Sequence, residues 1–116
     1  MSAWPVELRL DKTKTTLTVS FESGEHFTLP AEYLRVESPS AEVQGHSPDQ
    51  KQTVGGKRNV RVAGLEPVGN YAVRILFDDG HDTGLYSWDY LHELGRDHGK
   101  KWPAYLQALK AKRLER

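Results

Sequence analysis

The sequence predicts a single α+β domain over residues 1–116, an antiparallel β-sheet of meanders and hairpins with two C-terminal helices packed on it. The chain has 116 residues, of which 37% are apolar, and this is enough for one compact core. Most of it consists of short segments in which apolar and polar residues alternate, as they do in half-buried antiparallel strands. Beyond Ser87 the apolar residues change to helical spacing.

The N-terminal third is predicted to be a meander of three strands. Gly24 can take a positive φ angle and suits the second turn of this meander. Pro30 ends the third strand and favours a helical turn over residues 30–35, because proline fits the first turn of a helix. The predicted strands cover residues 6–10, 16–21 and 26–29, and the turns between them cover residues 11–15 and 22–25.

Residues 37–57 show no sustained period and are rich in Ser, Pro, Gln and Gly. A stretch of this length without regular structure is uncommon inside a compact domain, and it is usually either functional or disordered. We therefore mark this segment as a candidate functional region.

The middle of the chain predicts a second hairpin. Residues 59–68 and 71–77 are rich in Val, Ile, Leu and aromatic residues, and Gly69-Asn70 between them is a two-residue turn signal. The Asp-Asp-Gly-His sequence of residues 78–81 predicts a tight turn into a short strand at 83–86.

Two helices are predicted after this strand. Ser87 is a candidate N-cap for the first, and Gly95 or Gly99 a candidate terminator. The second is predicted to begin near Pro103 and to carry Trp102, Leu106 and Leu109 on one face. The side chains expected to pack on the sheet are Trp88, Leu91, Leu106 and Leu109.

Charge and cysteine content exclude several classes of function. The chain carries 16 Lys plus Arg against 16 Asp plus Glu, so no net field favours nucleic acid or an anionic membrane. It has no cysteine, which excludes disulfides, thiolate metal sites and a cysteine nucleophile. With no signal-peptide pattern or long apolar run, a cytoplasmic location is expected.

The polar motifs are incomplete as catalytic or metal sites. The five histidines include no i,i+4 pair on a predicted helix, and no nucleophile elbow or P-loop is present. Residues 78–82, Asp-Asp-Gly-His-Asp, form the densest group of potential ligands, but such a turn also forms for backbone reasons alone. The chain is therefore predicted not to be an enzyme.

Three segments resemble the gamma-butyrobetaine hydroxylase-like N-terminal domain family. They are LRVESPSAEVQGH at 34–46, GNYAV at 69–73 and FDDGHDTGLYSWDYL at 77–91. The resemblance implies a stand-alone domain without the jelly-roll domain that carries dioxygenase chemistry in larger members. Other members are fused to iron–sulfur cluster carrier ATPases, which implies by analogy a role near iron–sulfur assembly.

The resemblance also concerns a zinc site, which the dioxygenase members build from three cysteines and a histidine. The positions that correspond to these ligands are Ser38, Ser40, Val43 and His81. Neither a neutral serine hydroxyl nor a valine replaces a thiolate, so no structural zinc and no other cofactor are expected. Weak metal binding stays open.

The leading hypothesis is a non-catalytic accessory domain that binds a protein, in iron–sulfur or metal homeostasis. The alternatives are a weak metal or small-ligand binder using His46, Asp79, His81 and Asp82, and a small enzyme of unknown reaction. An exposed His81 would be able to change charge near neutral pH. The candidate binding residues, predicted to lie on one face, are Arg35, His46, Asp79, His81 and Tyr86.

Overall fold

The computed structural model describes residues 3–116 and confirms the α+β class. Within these residues there are six strands, four α-helices and one short 3₁₀ turn. The strands are β1 (Pro5–Leu10), β2 (Thr16–Phe21), β3 (His26–Pro30), β4 (Val62–Val68), β5 (Ala72–Phe77) and β6 (Gly84–Ser87). The helices are α1 (Ala31–Val36), α2 (Ala41–Gln44), α3 (Trp88–Arg96) and α4 (His98–Ala111), and the 3₁₀ turn is Pro48–Gln50.

The predicted N-terminal meander is confirmed as an antiparallel sheet in the order β1-β2-β3. Its central strand buries Leu17, Val19 and Phe21 and turns Thr and Ser residues outward. Leu17 pairs with Leu10 on one side and with Leu29 on the other, so all three apolar side chains share the inner face. The two-residue period of the sequence is the direct cause of this arrangement.

The remaining strands form a separate antiparallel sheet, in the order β4-β5-β6. β4 begins at Val62 and not at Asn59. The Arg61 N–H donates to the Asp78 carboxylate at 3.0 Å, so it is not available for a main-chain hydrogen bond to a neighbouring strand. The hairpin turn has three residues, since Val68 pairs with Ala72, where two had been predicted. β6 begins at Gly84, one position later than predicted.

The strands therefore divide into two sheets that share one core, where the sequence had suggested a single sheet. The turn between β1 and β2 joins them, because Thr15 O accepts the Ala31 N–H at 2.7 Å and Lys14 O accepts the Val62 N–H at 2.9 Å. Lys14 lies in the left-handed region with φ 61°, which aims its carbonyl at the second sheet.

α3 begins as predicted. The Ser87 hydroxyl accepts the Tyr90 N–H at 3.1 Å, and Leu91 and Leu94 are fully buried on the core side. The predicted terminators are wrong, because Gly95 lies inside α3 and Gly99 inside α4. Gly95 instead lies directly against Phe27, where a side chain would not fit. Trp88 is partly buried and packs against the core, as expected.

α4 differs from the predicted helix both in its first residue and in the face that it buries. It begins at His98, and Pro103 lies within it. Leu106 is 39% exposed, so its predicted packing on the sheet is wrong. The buried stripe is formed by Tyr105 and Leu109, which pack with Val36 in a second small cluster. Leu109 therefore contacts α1 rather than a sheet, and Leu106 is about 100° further round the helix than Tyr105.

Candidate functional site

Three of the predicted site residues lie together where α1 meets the turn between β5 and β6. Arg35 Nε donates to Asp79 Oδ2 at 2.8 Å, and the His81 backbone N–H donates to Asp79 Oδ1 at 3.0 Å. Gly80 has φ 92°, a conformation that glycine adopts without strain, and this lets the turn fold Asp79 back toward α1. The turn predicted from Asp-Asp-Gly-His is thus the element that positions the carboxylate.

A fourth residue, Lys57, joins this group and was not predicted. Its Nζ lies 2.6 Å from Asp79 Oδ2, and the Asp79 side chain is only 18% exposed. Lys57 lies in a Gly-Gly-Lys-Arg sequence that locally indicates no more than a flexible turn. Its partner is distant in the sequence, so no local pattern signalled this ion pair.

His81 is buried, and the expectation of an exposed imidazole is wrong. Its side chain is 3% exposed, and its Nδ1 lies 3.3 Å from Glu42 Oε2. On the other side of the ring, Nε2 is 2.8 Å from the hydroxyl of Ser38 and 3.4 Å from that of Ser40. Both ring nitrogens therefore have polar neighbours within the domain.

We call the group formed by Ser38, Ser40, Lys57, Asp79 and His81 the polar latch. It fastens both ends of the 37–57 segment to the turn between β5 and β6. Gly84 belongs to the same arrangement, because a Cβ built there would lie 2.6 Å from the Ser38 hydroxyl oxygen. The close approach of the segment to β6 therefore requires glycine at this position.

The other two predicted site residues, His46 and Tyr86, do not join the group of Arg35, Asp79 and His81. Tyr86 has no exposed surface, and its hydroxyl donates to the carbonyl of Leu34, so it lies beneath α1 and not on a binding face. His46 is exposed on the outer side of the segment. Among residues 3–116, its imidazole makes no hydrogen bond or ion pair with the other four. The five residues thus do not share one exposed face.

The alternative metal set is not assembled either. Within the described part of the chain, no three His, Asp or Glu side chains are placed to hold a metal ion together. Of the positions that the family resemblance aligns with zinc ligands, Ser38 and Ser40 contact His81, and Val43 is buried. This donor set of two hydroxyls and an imidazole does not fit zinc, which needs thiolate, imidazole or carboxylate ligands.

The latch shifts two pKa values downward. Burial lowers the pKa of His81 from 6.5, with a further contribution from the Arg35 charge, while the carboxylates of Glu42 and Asp79 act in the opposite direction. Burial would raise the pKa of Asp79, but hydrogen bonds from Lys57, the His81 N–H and Arg35 together lower it to about 2. At neutral pH the latch therefore holds an ionised Asp79 and an uncharged His81.

These shifts predict two separate windows of pH-dependent stability. The native state resists protonation of His81, so its contribution to the free energy of unfolding is complete above pH 6.5 and is lost as the pH falls toward the folded-state pKa. The contribution of Asp79 is lost only between its unfolded value of 3.8 and about 2. Urea unfolding across this range should show both steps, and His81→Gln should flatten the upper one.

A second histidine, His98, also contributes to the loss of stability as the pH falls below 6.5. Burial also lowers the pKa of His98, whose ring stacks on Tyr33 at a centroid distance of 4.2 Å. His98→Gln should therefore remove the slope that remains in His81→Gln. An upper step that survives both substitutions would contradict the assignment.

The segments that build the latch match a known protein family. The family model described as gamma-butyrobetaine hydroxylase-like, N-terminal, covers residues 8–92. The chain belongs to this family. The matched range begins within β1, includes the other five strands and the whole latch, and ends within α3. No curated protein matches the chain closely enough to count as a relative.

Solved structures of similar chains of comparable length show the same fold. Two proteins with NMR solution structures are 44% and 45% identical to this chain and have TM-scores of 0.85. Alignment with the first covers 100% of this chain and 91% of that one. A crystal structure from Acidithiobacillus ferrooxidans ATCC 23270, described as a protein with unknown function of the DUF971 family, is 38% identical with a TM-score of 0.66. That alignment covers 78% of this chain and 91% of the other.

Proposed function

We propose that this member of the family is a non-catalytic accessory domain that binds a protein partner through the outer surface of the 37–57 segment. The observation that supports this is the polar latch. A segment with only α2 and one 3₁₀ turn as regular structure would ordinarily lose much conformational entropy on binding. Here the buried contact of Ser38 with His81 and the partly exposed ion pair of Lys57 with Asp79 fix its two ends before any partner arrives.

The latch leaves a polar surface free for recognition. Glu42 is 64% exposed at its side chain, and His46, Asp49, Gln50 and Gln52 also face solvent. Polar side chains on a fixed loop supply the directional contacts of protein recognition. The ionisable groups of the latch are engaged with one another, so they support positioning of the segment better than proton transfer.

The cellular setting is part of the proposal and depends on the family resemblance alone. Fusion of related domains to iron–sulfur carriers favours iron–sulfur or metal homeostasis, in the cytoplasm. Within residues 3–116, no helix has the length and apolar character needed to span a bilayer. If the recovered partner is a protein that has no part in iron–sulfur or metal homeostasis, the proposed cellular role is wrong, but the proposed binding function still holds.

Site-specific cross-linking in the native host cell tests the binding surface. A photo-reactive amino acid at Gln52, which is exposed on the segment, should cross-link to one defined protein. The same group at Lys12, exposed in the turn between β1 and β2, should not. Cross-linking to the same proteins from both positions, or none from Gln52, would contradict the proposal.

Two substitutions separate contact from positioning. His46→Ala should weaken cross-linking and leave the melting temperature nearly unchanged, because its side chain is exposed. Lys57→Ala should also weaken it, although Lys57 lies in the latch and not on the outer surface, because one end of the segment is released. If Lys57→Ala cross-links as well as the unaltered protein, the fixed segment is not the recognition element.

A further inference from the structure

A groove of about 690 Å³ lies where Ala3 and Trp4, the turn between β2 and β3 and helix α3 meet. Its residues belong neither to the polar latch nor to the 37–57 segment. The volume lies in the range of sites that hold a few side chains or a small molecule. This surface is independent of the proposed function.

The apolar part of the groove is formed around Trp4. This indole is 46% exposed, although tryptophan is usually well buried. The backbone that carries it is held in place, because Trp4 O accepts the Glu22 N–H at 2.9 Å and the neighbouring Ala3 N–H donates to the Asp89 carboxylate at 2.7 Å. Phe21 and His92 also line the groove, and their rings pack edge to face at a centroid distance of 5.2 Å. The groove thus presents an exposed indole on a stretch of backbone that hydrogen bonds hold against the rest of the domain.

The rim of the groove is acidic. It includes the carboxylates of Glu22, Glu25, Asp89 and Glu93 against one guanidinium, that of Arg96, so four negative charges less one positive leave a formal charge of −3. Arg96 is itself engaged with Asp97 at 3.0 Å. The chain as a whole is neutral, so this surface concentrates negative charge that is balanced elsewhere.

We propose that the groove binds a basic segment of a partner protein, with an apolar side chain on Trp4 and Lys or Arg side chains against the rim. The charge of the rim complements such a segment, and the exposed indole supplies both apolar area and a face for a cation. Glu22 is the most available rim carboxylate. Its side chain makes no hydrogen bond or ion pair in the described range, whereas Glu25 contacts His92 at 3.0 Å and Glu93 contacts Lys101 at 3.4 Å.

The test is an NMR titration of the isotopically labelled full chain with a six-residue peptide of Lys, Arg and Leu. Amide shifts should change at residues 3–4, 22–25 and 89–96, and an analogue with Glu in place of Lys and Arg should cause none. Glu22→Lys should weaken binding about tenfold or more, because it places like charges together. Asp82→Lys makes the same charge change at an exposed position outside the groove and should leave affinity within about twofold.

Trp4→Ala provides a second variant that keeps every charge, and it should weaken binding by a similar factor, with the fold checked by its amide spectrum. Equal affinity for the basic and acidic peptides, or shift changes outside the groove, would overturn the proposal. So would a doubled mass in light scattering that Glu22→Lys abolishes, since the groove would then be a self-association surface.

Discussion

One added methyl group at Gly95 is expected to destabilise the domain, whereas the same change at Gly99 is expected to stabilise it. Both glycines lie within helices, where alanine is ordinarily favoured by up to about 1 kcal/mol. Among residues 3–116, no atom lies within 4 Å of a Cβ built at Gly99, but a Cβ at Gly95 would lie 2.3 Å from two ring atoms of Phe27. No van der Waals contact is possible at that distance, so the ring or α3 must move.

Phe27 is partly buried, and any movement of its ring would disturb two neighbouring aromatic rings. The ring of Phe27 packs edge to face on the rings of Phe21 and His92, at centroid distances of 6.1 Å and 5.7 Å. Overpacking of this kind costs about 1–3 kcal/mol, which corresponds to a fall in melting temperature of roughly 4–8 °C per kcal/mol in a domain of this size. The opposite signs of Gly95→Ala and Gly99→Ala are the result to be measured by chemical unfolding.

A third variant identifies the cause. Phe27→Leu combined with Gly95→Ala should recover part of the loss, because leucine vacates the space that the ring fills. If Gly95→Ala stabilises the domain as Gly99→Ala does, the close packing of α3 on β3 is not as described.

Local periodicity predicted most of the strands because each of them buries one face. The alternation of Leu17, Val19 and Phe21 fixes both the existence and the inner face of β2. The errors arose where tertiary contacts override local signals. Gly95 was predicted to end a helix because glycine often does so, but here it allows α3 to pack closely on Phe27. Leu106 fits the predicted apolar stripe of α4, but Tyr105 is the residue that is buried there.

The candidate site was predicted only in part, for a related reason. Arg35, Asp79 and His81 were found because they belong to segments that resemble the family, and the Asp-Gly turn explains how Asp79 is presented. Lys57 was missed because its ion pair joins residues that share no local pattern. Burial of His81 and Tyr86 depends on how α1 and the 37–57 segment cover the second sheet, and no side-chain period in the sequence encodes that packing.

The largest effect at the latch is expected from Asp79→Ala. It leaves Arg35, whose side chain is 11% exposed, and Lys57 without their shared carboxylate. Lys57 can extend into solvent, but the Arg35 guanidinium cannot easily do so, since its Nη1 is already buried without a partner in the described residues. Removing one partner of a largely buried ion pair costs about 3–5 kcal/mol, because the remaining charge is left uncompensated.

A double-mutant cycle tests this cause against simple loss of the turn. Arg35→Met with Asp79→Ala removes both charges, so it should be more stable than the sum of the two single changes implies. Asp82→Ala, at an exposed position in the same turn, should change the free energy of unfolding by no more than about 0.5 kcal/mol. Hydrogen exchange should report faster opening of the 37–57 segment in Asp79→Ala, since the latch then loses its link to Lys57. If the losses in free energy of unfolding are additive in the cycle, Arg35 and Asp79 act independently. If hydrogen exchange of the 37–57 segment is unchanged in Asp79→Ala, the latch does not fix the segment.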